Sequence, residues 1–262
     1  MRSIAIGRAV SLLMFTLVLT PSLKAAPMLD IVVLMDSSGS LTDPDYLEQK
    51  AVVAHLFDSF TIGASDTQFS LIQFATSVQT EIGLSGSGTA LNNALSNSFQ
   101  LHGQTNHGGA FAAAAGELAS NGRGGSVQEV VILMTDGQAN EPTGGPGPIN
   151  FAIAEALSLK SSGALLFSVG FGTSIDMSTL ELYASNPTSD FTYLVDEFTD
   201  GLTVMDDIAA YLNGLPGPTA TVYEPASVPM LLIGLLALCF IQSRRQANND
   251  LLSLDGSAVV AA

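Results

Sequence analysis

Leu29-Asp-Ile-Val-Val-Leu-Met-Asp36 opens directly into Ser37-Ser-Gly-Ser40. A nearly continuous apolar run that stops at an aspartate suits a strand buried on both faces of a parallel sheet. The pattern returns at Val130–Met134, which ends in Thr135-Asp136-Gly137, and again at Leu165–Val169. Between the first two runs, Thr42 to Phe60 reads as a helix. Pro44 stands early, acids fill the first turn, and Leu47, Ala51, Ala54 and Phe57 recur at helical spacing. The same reading predicts helices over Thr89–Phe99, Gly109–Ala119, Phe151–Leu159, Met177–Ala184 and Glu197–Leu212. It predicts short strands over Phe69–Phe74, Val78–Ile82 and Phe191–Val195. Strands alternating with helices imply an α/β domain: a doubly wound, Rossmann-like, mostly parallel sheet flanked by helices. The alanines at 112–115 read as a close-packed helix face. Gly214-Leu-Pro-Gly-Pro218 ends the pattern, and residues 214–225 read as a stiff linker.

Composition narrows the function classes. The chain has 262 residues, 47% of them hydrophobic and 12% charged, which excludes disorder as its main state. Acids outnumber bases 24 to 8, and between residues 27 and 223 the count is 21 to 3. Such a surface repels nucleic acid and anionic headgroups. A single cysteine, Cys239, excludes a disulfide framework and a Cys-rich zinc site.

In an open parallel sheet, ligands bind beyond the carboxyl ends of the strands, where strand order reverses. Two strands here end in aspartates, Asp36 and Asp136, and a buried carboxylate needs a positive partner. Lys50, Arg123 and Lys160 are the only bases available between residues 27 and 223. A hard divalent cation is the more economical partner, with Ser38 and Ser40 adding neutral hydroxyl oxygens. Oxygen-only donors point to Mg²⁺, Mn²⁺ or Ca²⁺. His102 and His107 flank Thr105, yet a histidine zinc site would lack a third ligand, and both read as surface-loop residues. His55 reads as a packing or surface residue of the first helix. Gln138, Asn140 and Glu141 read either as the rim of a ligand surface or as a solvated Pro/Gly-rich loop.

Asp36-x-Ser38-x-Ser40, Thr105 in Gly103-Gln-Thr-Asn106, and Thr135-Asp136-Gly137 resemble the metal-ion-dependent adhesion site of von Willebrand factor type A domains. Phe167-Ser-Val-Gly-Phe-Gly172, Asp176, Leu180 and Asp196-Glu-Phe198 extend the resemblance over roughly residues 28–213. It implies that Ser38, Ser40 and Thr105 touch a metal directly, Mg²⁺ first among the candidates, while Asp36 and Asp136 act mostly through water and hydroxyl groups. It also implies an open metal position filled by an Asp or Glu carboxylate of a protein partner. His107 stands where that family often has a second threonine or serine.

Both ends carry short apolar runs. Arg2 and Arg8, an apolar centre from Ala9 to Leu19, and small residues Ala25 and Ala26 describe a secretory signal peptide over residues 1–25. A retained N-terminal anchor is the alternative reading. Near the other end, Glu224-Pro225-Ala226-Ser227, an apolar run over Val228–Ile241 and Arg244-Arg245 resemble a PEP-CTERM sorting segment, here residues 226–245. Tyr223 stands where that motif usually has proline, and residues 246–262 extend beyond the arginine pair as a short tail. The resemblance implies export in a Gram-negative bacterium, processing by exosortase and association with exopolysaccharide or extracellular matrix. The same run fits a plain C-terminal membrane anchor, with the domain facing the periplasm.

Enzymatic readings fit poorly. A phosphatase-like fold using Asp36 as nucleophile wants a second carboxylate two residues on, where Ser38 stands. Gly83-Leu-Ser-Gly-Ser87 lacks the final glycine of a nucleophile elbow. The expectation is a non-enzymatic, exported, metal-dependent adhesion or interaction module. A passive surface protein stabilised by its metal is the alternative.

Overall fold

The computed structural model describes residues 26–142 and 145–217, together with positions 236, 238 and 240–245, which are helical. The chain divides into two compact units, Met1–Pro218 and Thr219–Ala262. The expected signal peptide, most of the 226–245 segment and the 246–262 tail lie outside the described residues. Among the described residues, no helix is long and apolar enough to cross a membrane.

Every residue of β1 (Leu29–Asp36) is buried. Its odd-numbered side chains, Ile31, Val33 and Met35, enter one apolar cluster, and Val32 and Leu34 enter another on the opposite face. This two-sided burial is why the run is continuous rather than alternating. The chain continues through α1 (Asp43–Asp58), β2 (Thr67–Phe74), β3 (Val78–Ser85), α2 (Gly88–Asn97), α3 (His107–Asn121), β4 (Gln128–Gly137), α4 (Pro148–Ser161), β5 (Leu165–Ser174), α5 (Met177–Tyr183), α6 (Thr188–Phe191), β6 (Thr192–Val195) and α7 (Gly201–Gly214). The six strands are ordered β3-β2-β1-β4-β5-β6. All neighbours are parallel except β2 and β3, which form an antiparallel edge. The doubly wound α/β expectation holds. Strand order reverses between β1 and β4, so the loops after these two strands flank one crevice.

The buried stripe of α1 differs from the expected one. Tyr46, Gln49, Val52, Val53, Leu56 and Phe57 face the core, while Leu47 and Ala51 are exposed. Tyr46 belongs inside because its hydroxyl donates to Gln73 Oε1 at 2.7 Å. Thr42 and Asp45 close a capping box at the start of this helix. The alanine-rich helix α3 packs closely on α4: a Cβ added at Gly108 would run into the Phe151 ring.

At the end of the sheet where β1 begins, Arg123 gathers three segments. Its Nε donates to buried Asp30 at 2.8 Å, and its amide donates to the other Asp30 oxygen at 2.7 Å. Its remaining nitrogens donate to the carbonyls of Leu29, Ala64 and Asp66. At the same end Pro27 and Met28 share a cavity of about 190 Å³ with Leu215 and Pro216, so both ends of the domain meet there.

Candidate metal centre

Asp36 ends β1 fully buried, and its carboxylate is held from two sides. The Ser38 amide donates to Oδ1 at 2.8 Å, and the Thr135 hydroxyl donates to Oδ2 at 2.6 Å. Asp136 follows Thr135 at the end of β4 and is half-buried. The Ser40 hydroxyl donates to Asp136 Oδ1 at 2.7 Å and lies 2.9 Å from the Ser38 hydroxyl. Because the Ser40 proton is committed to Asp136, Ser38 must donate to Ser40. Both hydroxyl oxygens therefore keep lone pairs free.

The serine loop is pinned from its neighbour. Leu101 and His102 amides donate to Ser37, and the Gly39 amide donates to the Gly103 carbonyl at 3.0 Å. Gln100 Nε2 reaches the carbonyls of Ser38 and Leu41. Gly103 is required where it stands: its φ is +99°, and a Cβ would meet Thr76 Oγ1 at 2.6 Å. Thr105, two residues on, is buried. Its amide donates to Asn140 Oδ1 at 2.6 Å, and its carbonyl accepts from the amides of Asn140 and Glu141. Asn140 thus clasps the Thr105 loop to the loop after β4. Three loops, carrying Asp36–Ser40, Thr105 and Asp136, meet at the crevice.

Electrostatics here are unfavourable without a cation. Burial pushes the Asp36 carboxyl up to about 6, the like charge of Asp136 adds to this, and the hydrogen bonds from Ser38 and Thr135 oppose it. Burial also raises Asp136, against the hydrogen bond from Ser40. Among the described residues neither aspartate has an ion pair, because Arg123 is spent on Asp30. Nor do they include any group of three His, Cys, Asp or Glu side chains suited to a metal. A cation held here would rest on two carboxylates and neutral hydroxyls, a donor set that suits a hard dication.

His107 overturns its expected place. It is fully buried at the start of α3, edge-on to Phe74 and Tyr183, while His102 is exposed as expected. Its Nε2 lies 3.0 Å from Thr135 Oγ1 and its Nδ1 3.4 Å from the Tyr183 hydroxyl. Burial pushes its pKa down to about 3, so the ring is neutral. Thr135 gives its own proton to Asp36, hence Nε2 carries the ring proton and Nδ1 accepts from Tyr183. The hydrogen bonds then all point from Tyr183 through His107 and Thr135 to Asp36. His107→Phe is expected to cost about 1–3 kcal/mol in urea unfolding, because it orphans the Tyr183 hydroxyl. Adding Tyr183→Phe should recover part of that loss. A divalent cation held beside Asp36 would lose about tenfold or more in affinity, since the chain of hydrogen bonds that orients the Asp36 carboxylate would be broken. His55 pairs with Asp206 at 2.8 Å on the exposed surface, away from this cluster.

Known proteins share this architecture. Residues 30–208 match the von Willebrand factor type A domain. Mouse matrilin-3 is 29% identical over 182 residues, covering 67% of this chain and 36% of that protein. The mouse collagen alpha-5(VI) chain is 31% identical over 145 residues, covering 54% of this chain and 5% of that one. The chain therefore spans about a third or less of the length of these relatives. Proximal thread matrix protein 1 from the mussel byssus, solved with a zinc-occupied MIDAS motif, aligns with a TM-score of 0.62 at 26% identity. That alignment covers 72% of this chain and 48% of the mussel chain. The manganese-loaded TRAP protein of Plasmodium vivax shares the fold, with a TM-score of 0.58 at 19% identity over 72% of this chain and 75% of that one. With most of its length matched in this way, the chain belongs to the von Willebrand factor type A domain family.

Proposed function

We propose that this protein is an exported adhesion or interaction module that binds a partner carboxylate through a divalent cation. The cation would be held by Asp36, Ser38, Ser40, Thr105 and Asp136. One observation carries the reading: two aspartates converge on hydroxyl oxygens that keep lone pairs to spare, and among the described residues no cationic side chain pairs with either of them. A bound dication supplies charge balance and an open coordination position for an acidic side chain. Ser38 and Ser40 would present uncharged oxygens, Asp36 and Asp136 would orient those hydroxyls and water, and Asn140 would hold the Thr105 loop in place. Mg²⁺ is the leading candidate, with Mn²⁺ and Ca²⁺ behind it. The mussel relative, with its zinc-occupied MIDAS, supports a metal at the equivalent place.

The reading contains no catalytic step. Extracellular-matrix names among the relatives support a protein partner and an extracytoplasmic location. The patterns at the chain's ends support export through residues 1–25, a domain over 28–213, a linker over 214–225 and a sorting or anchoring segment over 226–245. Exopolysaccharide or matrix association belongs to the same proposal, and nucleic acid does not.

Calorimetric titration of Mg²⁺, Mn²⁺ and Ca²⁺ into the full chain tests it. Saturable binding at one site, lost in Asp36→Ala and weakened in Ser38→Ala, is the expected result. Absence of binding by the wild type to all three ions would overturn it.

A further inference from the structure

Beside the serine loop lies an open groove of about 520 Å³ between α1 and the segment that follows α2. Two large apolar side chains face solvent there: Phe99 is 81% exposed and Leu47 is 63% exposed. Neither is loosely placed. Leu47 sits within α1, next to buried Tyr46. Phe99 stands between Ser98, which is buried, and Gln100, whose side chain binds the carbonyls of Ser38 and Leu41. Gln100 therefore forms part of the groove and also ties down the loop that carries Ser38 and Ser40. Leu47 and Phe99 line one groove, so their apolar surface lies side by side where a partner could cover both.

The groove also holds a cation. Lys50 Nζ donates to the carbonyls of Ser96 and Ser98, each at 3.1 Å, and stands 5.7 Å from the centre of the Tyr46 ring. Among the described residues Lys50 has no ion pair. The other bases of the domain are committed elsewhere: Arg123 to Asp30, and Lys160 to the carbonyls of Leu182 and Ala184. On a domain with 21 acids and three bases, Lys50 is the positive side chain of this groove, whose lining also includes Asp43.

We infer that the groove of Leu47, Phe99 and Lys50 is a second recognition site, taking an extended segment of a protein partner whose apolar side chain lies within a few residues of the metal-bound acidic one. The inference rests on the metal reading above. Lys50 adds a preference for a second acidic residue on that segment. Gln100 lines the groove and binds the Ser38 carbonyl, so an extended chain advancing about 3.3 Å per residue would pass from one site to the other within a few residues.

The test is selection of random twelve-residue displayed peptides, each with one fixed aspartate, on the full chain in detergent with Mn²⁺. Enriched peptides should carry an aliphatic or aromatic residue at a constant offset from the aspartate, with a second acid among them. Their binding should vanish in EDTA and weaken at least about tenfold in the Leu47→Ser, Phe99→Ser double variant. Calorimetric Mn²⁺ affinity of that variant should equal the wild-type value, which shows that the metal loops are intact. EDTA-sensitive binding that is indifferent to the double variant would overturn the groove and leave the metal reading standing. Failure to enrich any EDTA-sensitive peptide, with Mn²⁺ bound by calorimetry, would also overturn the groove. Absence of Mn²⁺ binding by the wild type would overturn both.

Discussion

Asp36→Asn is expected to abolish divalent-metal binding and, in chelator at pH 7, to raise the melting temperature. The two effects share one cause. Asp36 is fully buried, and its carboxyl is pushed up to about 6 from an ordinary 3.8. A carboxylate whose folded pKa lies above its unfolded one costs stability once both states are ionised, at about 1.36 kcal/mol per unit. The cost here is about 3 kcal/mol at pH 7 and disappears as pH falls toward 4. The amide removes it while keeping the shape: Oδ1 still accepts from the Ser38 amide. Thr135, now an acceptor of the new N–H, can turn its proton to the Gly137 carbonyl 3.1 Å away. At about 2–4 °C per kcal/mol for a domain of this size, a gain of about 6–12 °C is expected in EDTA. The wild type in EDTA should melt higher at pH 5 than at pH 7 through this group, and Asp36→Asn should show less of that slope. A melting temperature in EDTA that drops on substitution would show that the carboxylate contributes more to the fold than its burial costs.

Arg123→Met should cost about 3–5 kcal/mol, because it leaves the buried Asp30 carboxyl without its guanidinium partner. The guanidinium also ties β1 to the α1–β2 loop through the carbonyls of Leu29, Ala64 and Asp66. Urea unfolding would read the loss, and the double variant Arg123→Met, Asp30→Asn should recover more than half of it. Equal destabilisation of the single and double variants would place the cost in the lost carbonyl contacts rather than in the stranded carboxyl. Metal affinity should be unchanged in either variant that folds, since this pair sits at the opposite end of the strand from Asp36.

Much of this could be read from residues alone, and the failures have physical reasons. The strands β1, β4 and β5 are apolar because both of their faces are covered, so their centres and the aspartates that close β1 and β4 stood out, whereas β5 runs on to Ser174, past the expected Val169. The face of α1 did not. Its buried stripe includes Tyr46 and Gln49, polar residues that belong inside because of the surrounding structure, whereas Leu47 and Ala51 kept the apolar spacing while facing out. Phe99 was expected inside a helix, yet α2 ends at Asn97 and leaves Phe99 in solvent. His107 carried no local signal of burial. Its partners, Thr135 and Tyr183, are 28 and 76 residues away, and only the folded sheet brings them together. Asn140 was open to two readings, and its bond to the Thr105 amide shows it as part of the loop cluster.

The meeting of Met28 and Leu215 in one cavity has an architectural consequence. A chain that enters and leaves at one pole behaves as a cassette. It can be spliced into a loop of a host protein, or have its ends joined and reopened elsewhere, without disturbing the strands between. Asp36 lies a full strand away, about 25 Å for eight residues. Whatever carries this domain therefore holds it by one pole and displays the other.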